Sequence, residues 1–176
     1  NLMAIQATWL GHSAFQLLIG EHVLLIDPFL TGNPLAAADA ASIDADFILL
    51  SHGHGDHIGD TPAIARRTGA TVVSNNEIGH WLRNKHGLKN VHGLNTGGGV
   101  QLPFGRVELT IAYHSSSLPD GSYGGMPNGL LIFTSALIDL LGIFLVVQAI
   151  FGPSARPFIG LLILFGLRQL CQGLCA

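Results

Sequence analysis

The feature that most constrains this chain is Ser51-His52-Gly53-His54-Gly55-Asp56-His57, which follows directly on an apolar run ending Phe47-Ile48-Leu49-Leu50. Such a run, Ala45 to Ser51, reads as a strand buried on both faces. The polar residues must then lie in a loop at the strand's C-terminal end. His52 and His54, spaced i, i+2 on extended backbone, point the same way and can address one metal ion. Asp56 and His57 are displaced along the loop and would address a second ion beside it. Gly53 and Gly55 let the backbone fold round what the loop binds. Imidazole and carboxylate suit Zn2+ best, and Mn2+ or Fe2+ as well. Two ions about 3.5–4 Å apart can share a hydroxide, a nucleophile at neutral pH that needs no Ser or Cys.

The flanking sequence predicts a mixed α/β layout. Ala4 to Leu10, Ala14 to Ile19 and Val23 to Ile26 read as three short strands joined by the turns Gly11-His12-Ser13 and Gly20-Glu21, an antiparallel meander ending at Asp27-Pro28. Phe29 to Ser42 reads as a loop. Thr61 to Thr68 is a helix with Pro62 in its first turn and Gly69 as its stop, and Glu77 to Lys85 is a second helix ended by Gly87. Strands are expected at Thr71 to Ser74, near Val91 and at Arg106 to Tyr113. The last alternates Val107, Leu109 and Ile111 with polar neighbours and delivers His114 at its end.

Charge and hydropathy divide the chain near Asn128-Gly129. All nine histidines precede that point, and from Leu130 onward only Asp139, Arg156 and Arg168 are charged. The apolar tail largely accounts for a mean hydropathy of +0.46. The reading is therefore a metal-binding domain over 1–129 and an apolar segment over 130–176. Leu130 to Phe151 is long enough to cross a bilayer core, for which about 20 residues are needed. With the turn Gly152 to Pro157 and the apolar stretch from Phe158, it reads as a helical hairpin making membrane contact through 130–167; a pair of buried core helices is the alternative, since Asp139 is costly in lipid. A net charge of −3 with no basic run excludes an electrostatic footprint for nucleic acid. The N-terminal residues lack a signal-peptide pattern, so the metal-binding domain is expected in the cytoplasm, with membrane association added by the tail.

HGHGDH after an apolar strand resembles the HxHxDH signature of the metallo-β-lactamase superfamily. TWLGHSAFQL, LLIDPFLTGNP, ADFILLSHGHGDHIGDTPAIARRTGATVV and AYHSSS look like the small bacterial metal-dependent hydrolases of the UPF0173 type, over about Met3 to Gly129. The resemblance implies the N-terminal half of an αββα sandwich. It implies a hydrolase that uses a metal-bound hydroxide on an ester, lactone or phosphoester of a small-molecule substrate. His52, His54 and His114 would hold the first ion, and Asp56 and His57 the second, with Asp56 also positioning the water. Asp27 would orient a ligand imidazole or serve as a turn former before Pro28. His12 would line the site or make a structural hydrogen bond in its turn. The family pattern continues with an aspartate bridging both ions and a late histidine; here the only acid after Asp120 is Asp139, and no histidine follows His114. On this reading the second ion has two protein ligands, and the alternative function is a metal-binding half-domain without turnover, tethered to a membrane by the apolar tail. His22, His80, His86 and His92 read as surface residues.

Overall fold

The computed structural model describes residues 5–134 and the backbone of 142–147 and 162–166. Two sheets carry the chain. The first is built from β1 (Ile5–Gly11), β2 (Ala14–Ile19), β3 (His22–Ile26), β4 (Phe47–Leu49), β5 (Thr71–Asn75) and β6 (Val91–Leu94), in that spatial order. Its first three strands form the expected antiparallel meander, and β3 to β6 run parallel. The helices α1 (Gly55–Ile58) and α2 (Thr61–Thr68) lie in the crossover from β4 to β5, and α3 (Asn76–His86) in that from β5 to β6. The second sheet is antiparallel, formed by β7 (Gly99–Leu102), β8 (Gly105–Ile111), β9 (Asn128–Thr134), β10 (Gly142–Val147) and β11 (Leu162–Gly166) in the order β11-β10-β9-β8-β7.

Alternation along β4 shows how the layers are held. Ile48 points to a core shared with Leu25, Ile64, Val72, Ile78 and Leu82, which joins the first sheet to α2 and α3. Leu49 points the other way, into a core with Leu24, Val73, Phe104, Val107, Leu109, Leu130 and Ile132 that joins the two sheets. Both faces of β4 are therefore buried, as its unbroken apolar run predicts. The helix stops also follow the residues: Gly69 and Gly87 adopt left-handed backbone at φ 77° and 67°. Asn75 caps α3 by accepting the Ile78 N–H at 2.9 Å. The strand β7 and the short α1 go beyond what periodicity predicts, because neither is long enough to show a period.

The apolar tail requires a correction. Where its backbone is described it is extended: Leu130 to Thr134 lie in β9, which pairs with β10, and β10 pairs with β11. The expected helical hairpin is not what these segments form. The cause is that β8 occupies one edge of β9 and the other edge presents unpaired N–H and C=O groups, which the returning chain meets with β-branched and aromatic sequence such as Ile143 to Val147. The rest of the hairpin expectation, with its membrane contact through 130–167, falls outside the described residues. Among the described residues no helix is long and apolar enough to cross a membrane.

Because Leu49 is fully buried between the sheets, Leu49→Ala should destabilise the chain by about 2–5 kcal/mol. Urea unfolding followed by far-ultraviolet circular dichroism measures this, and a loss well below that range would mean the two sheets are not packed through β4.

Candidate metal centre

β3 and β4 are parallel neighbours, so the residues that follow them emerge side by side. Asp27 follows β3 in left-handed backbone, φ 43°, a conformation Asp tolerates better than most residues. Its carboxylate is buried and bonded throughout. Oδ1 accepts the Ser51 N–H at 2.8 Å, while Oδ2 accepts the Ser51 hydroxyl at 2.5 Å and faces His57 Nδ1 at 2.8 Å.

These bonds determine where the histidine protons sit. A carboxylate only accepts, so His57 carries its proton on Nδ1 and its Nε2 lone pair points away from Asp27. The Ser51 proton is given to Asp27, so Ser51 Oγ accepts from His52 Nδ1, 2.9 Å away, and His52 likewise presents a lone pair at Nε2. His114 Nδ1 lies 2.9 Å from the Ser115 carbonyl, which also only accepts, leaving Nε2 as the acceptor nitrogen there too. His54 faces His52 Nε2 through Nδ1 at 3.1 Å, with Ser115 Oγ 3.3 Å from its Nε2.

The loop is tied to the second sheet as well as to the first. Gly53 donates its N–H to Ser116 Oγ at 2.9 Å, and a Cβ at Gly53 would sit 3.1 Å from that oxygen and 3.3 Å from the Gly124 Cα. Asn128, opening β9, donates its N–H to the Ser51 carbonyl at 2.9 Å. After α1, Gly59 has φ 42° and lies so close to Pro28 that a Cβ would fall 2.5 Å from the Pro28 carbonyl oxygen. Asp60 then accepts the N–H groups of Leu30 and Thr31, both at 2.8 Å. Both strand-end loops are thereby fixed to each other.

The structure brings the sequence candidates into two adjoining groups. His52, His54 and His114 offer nitrogens within 4.8 Å of one another, and so do His12, Asp56 and His57 with one ligand atom each. Two ligands on a tetrahedral zinc at about 2.0–2.1 Å lie about 3.3 Å apart, close to the 3.1 Å between His52 Nε2 and His54 Nδ1. The donor set therefore fits a divalent ion. Asp27, His52 and His57 also lie together, but both Asp27 oxygens are taken by the bonds above. His22 and His86 correct the surface reading: each is half-buried, with ring centroids 5.9 Å from Phe47 and 4.5 Å from Trp81 respectively. His80 and His92 are exposed.

Burial sets the protonation of the cluster. It pushes His52 from 6.5 down to about 3, helped by the adjacent His57 and opposed by Asp27. His54 is lowered by burial and by His114, and His12 by burial and by His57. Burial thus favours the neutral form of His12, His52 and His54, the form that ligates metal. Beside His114 an open groove of about 750 Å³ runs along Tyr113, Ser115, Tyr123 and Met126. Its lining apart from His114 carries no ionisable group other than the tyrosines. No local signature assigns Ser51 or Asn128 a role at the site, beyond their positions at strand ends.

Two packed sheets with this histidine-lined edge define a class. The family model described as the metallo-β-lactamase superfamily matches residues 7–135, and the chain belongs to that superfamily. Within it, the chain is 46% identical to a UPF0173 metal-dependent hydrolase of Flavobacterium johnsoniae over 129 residues, covering 73% of this chain and 56% of the relative. A UPF0173 metal-dependent hydrolase of Thermus thermophilus is 46% identical over 128 residues, with the same coverage. Among solved structures, Igni18, a metallo hydrolase from Ignicoccus hospitalis, aligns with a TM-score of 0.63 at 33% identity, covering 79% of this chain and 58% of that one. The chain thus spans little more than half the length of these relatives.

Two outcomes follow. Asp27→Asn keeps one acceptor oxygen but turns a donor toward Ser51 or His57, so metal affinity by isothermal titration calorimetry should fall about 10–100-fold; unchanged affinity would mean the tautomers are not set by Asp27. The second concerns acid. Unfolded chain takes up a proton at His52 near pH 6.5, whereas the folded, metal-free chain resists it down to about pH 3. Stability from this group is therefore full above about pH 6.5 and falls as the pH drops toward about 3, by at most about 1.4 kcal/mol per pH unit. Denaturant midpoints of metal-free protein across that range check the slope.

Proposed function

We propose that the chain is a metal-dependent hydrolase, most naturally with zinc, acting on an ester, lactone or phosphoester of a small molecule. The observation that carries this reading is the grouping of His52, His54 and His114 with one ring nitrogen each within 4.8 Å of the others, while Ser51 and Ser115 hold further ring nitrogens. Three protein ligands with an open position are the arrangement of catalytic zinc sites. A divalent ion held there supplies a Lewis acid and lowers the pKa of a water to about 7. The residues do the rest. His52, His54 and His114 bind and orient the ion. Asp56, half-exposed at the rim with its carboxylate 3.5 Å from His12 Nε2, positions the attacking water and accepts its proton. His57, held by Asp27, contributes with Asp56 to a second ion. The groove beside His114 receives the rest of the substrate.

The chain's coverage of 56% of its relatives favours one other reading, a metal-binding half-domain without turnover. Purified protein loaded with zinc or manganese and offered a p-nitrophenyl ester, a simple lactone and bis-p-nitrophenyl phosphate separates the two. Hydrolysis above the metal-only background is expected for at least one of them, and His54→Ala should abolish it together with the ion at the three-histidine group. Metal-loaded protein with no rate above background would leave the half-domain reading standing.

A further inference from the structure

We infer that His12 is a ligand of the second ion, so that this chain builds a three-donor site, His12–Asp56–His57, from its own described residues. The inference rests on the proposed reading of the strand-end cluster as a divalent-metal centre. Asp56 and His57 alone offer two donors, fewer than the three that catalytic zinc sites use. The fold supplies a third from a distant part of the chain. The β1–β2 turn brings His12 over α1, where its Nε2 lies 3.5 Å from Asp56 Oδ2 and its ring centroid 5.2 Å from that of His57. Ligand atoms of all three residues fall within 4.8 Å of one another.

Several independent contacts hold His12 in that place. Its backbone is left-handed at φ 52°, a conformation uncommon outside glycine and tolerated by His, Asn and Asp. Its carbonyl accepts the Trp9 indole N–H at 3.0 Å, and its ring stands edge-on to Phe29 at 5.9 Å. The preceding Gly11 is equally constrained, with φ 100° and a Cβ position only 2.4 Å from the Leu35 carbonyl oxygen. An uncommon backbone conformation maintained by tertiary contacts is characteristic of residues placed for a site. The partner ring is prepared as well: Asp27 takes the His57 Nδ1 proton, so the His57 lone pair is at the nitrogen opposite. The donor set, two imidazoles and a carboxylate, suits zinc, manganese or iron(II).

The test is the metal content of the full chain after equilibrium dialysis against excess zinc, measured by inductively coupled plasma mass spectrometry. Wild type should hold two ions. His12→Asn, which keeps a residue tolerant of left-handed backbone, should hold one and retain the melting temperature of metal-free wild type. His54→Ala should also hold one, the ion at His12–Asp56–His57. Two ions in His12→Asn, one ion in both wild type and His12→Asn, or none in His54→Ala would overturn the inference while leaving a metal at the three-histidine group. No ion in wild type would overturn the underlying reading as well.

Discussion

The Asp27 carboxylate is the interaction on which the site depends. It is buried at the end of β3, where an unpaired charge would be costly, and it is satisfied by the Ser51 backbone, the Ser51 hydroxyl and His57. Because it can only accept, every proton near it has to point inward. That requirement passes directly to His57 and, through the serine hydroxyl, to His52. One carboxylate thus fixes the lone-pair direction of a ring in each of the two adjoining donor groups. The left-handed backbone at Asp27 turns the carboxylate across to the neighbouring strand end.

The two-sheet architecture explains why the donors come from such different parts of the sequence. Parallel pairing of β3 with β4 places Asp27 beside Ser51. Packing of the second sheet against the first brings the chain after β8 over the same edge, where Ser116 bonds Gly53 and Asn128 bonds the Ser51 carbonyl. His114 rides on that segment. Asn75 adds a further tie, donating to the Gly124 and Met126 carbonyls while capping α3. Loops carry the candidate donors here, but each is laced to a rigid element within a few residues of its donor side chain.

Much of this was legible in the sequence. The unbroken apolar run before His52 predicts a central strand because a strand buried on both faces cannot alternate, and the β4 environment bears that out. The meander, the two longer helices and their glycine stops follow from local chemistry that tertiary contacts do not override. What local sequence does not encode is juxtaposition. His12 in isolation is a turn histidine, and only the closure of β1 on β2 over α1 brings it to Asp56. Asp27 reads equally well as a turn former and as a hydrogen-bond acceptor, and the structure uses it for both. The tail misleads for a physical reason: hydropathy is blind to a sheet edge, and apolar sequence long enough for a membrane helix is also suited to strands when an open edge is adjacent.

The crowding of imidazoles bears on how site and fold are coupled. The rings of His12, His52, His54, His57 and His114 form a chain of neighbours with centroids 4.0–5.2 Å apart. Burial and the neighbouring rings together lower His12, His52 and His54, which favours the neutral form of these three. His52 Nε2 and His54 Nδ1 face each other at 3.1 Å, while Ser51 and Ser115 hold the outer nitrogens of these two rings. His52 and His54 belong to the first sheet's loop and His114 to the second sheet's, so an ion held by the three as proposed would link the two layers at this edge. Binding that favours the folded chain adds about 2.7 kcal/mol at a free-ion concentration 100 times Kd. That is comparable to the loss expected from truncating a buried core leucine, so an ion bound as proposed would serve the fold as well as the chemistry.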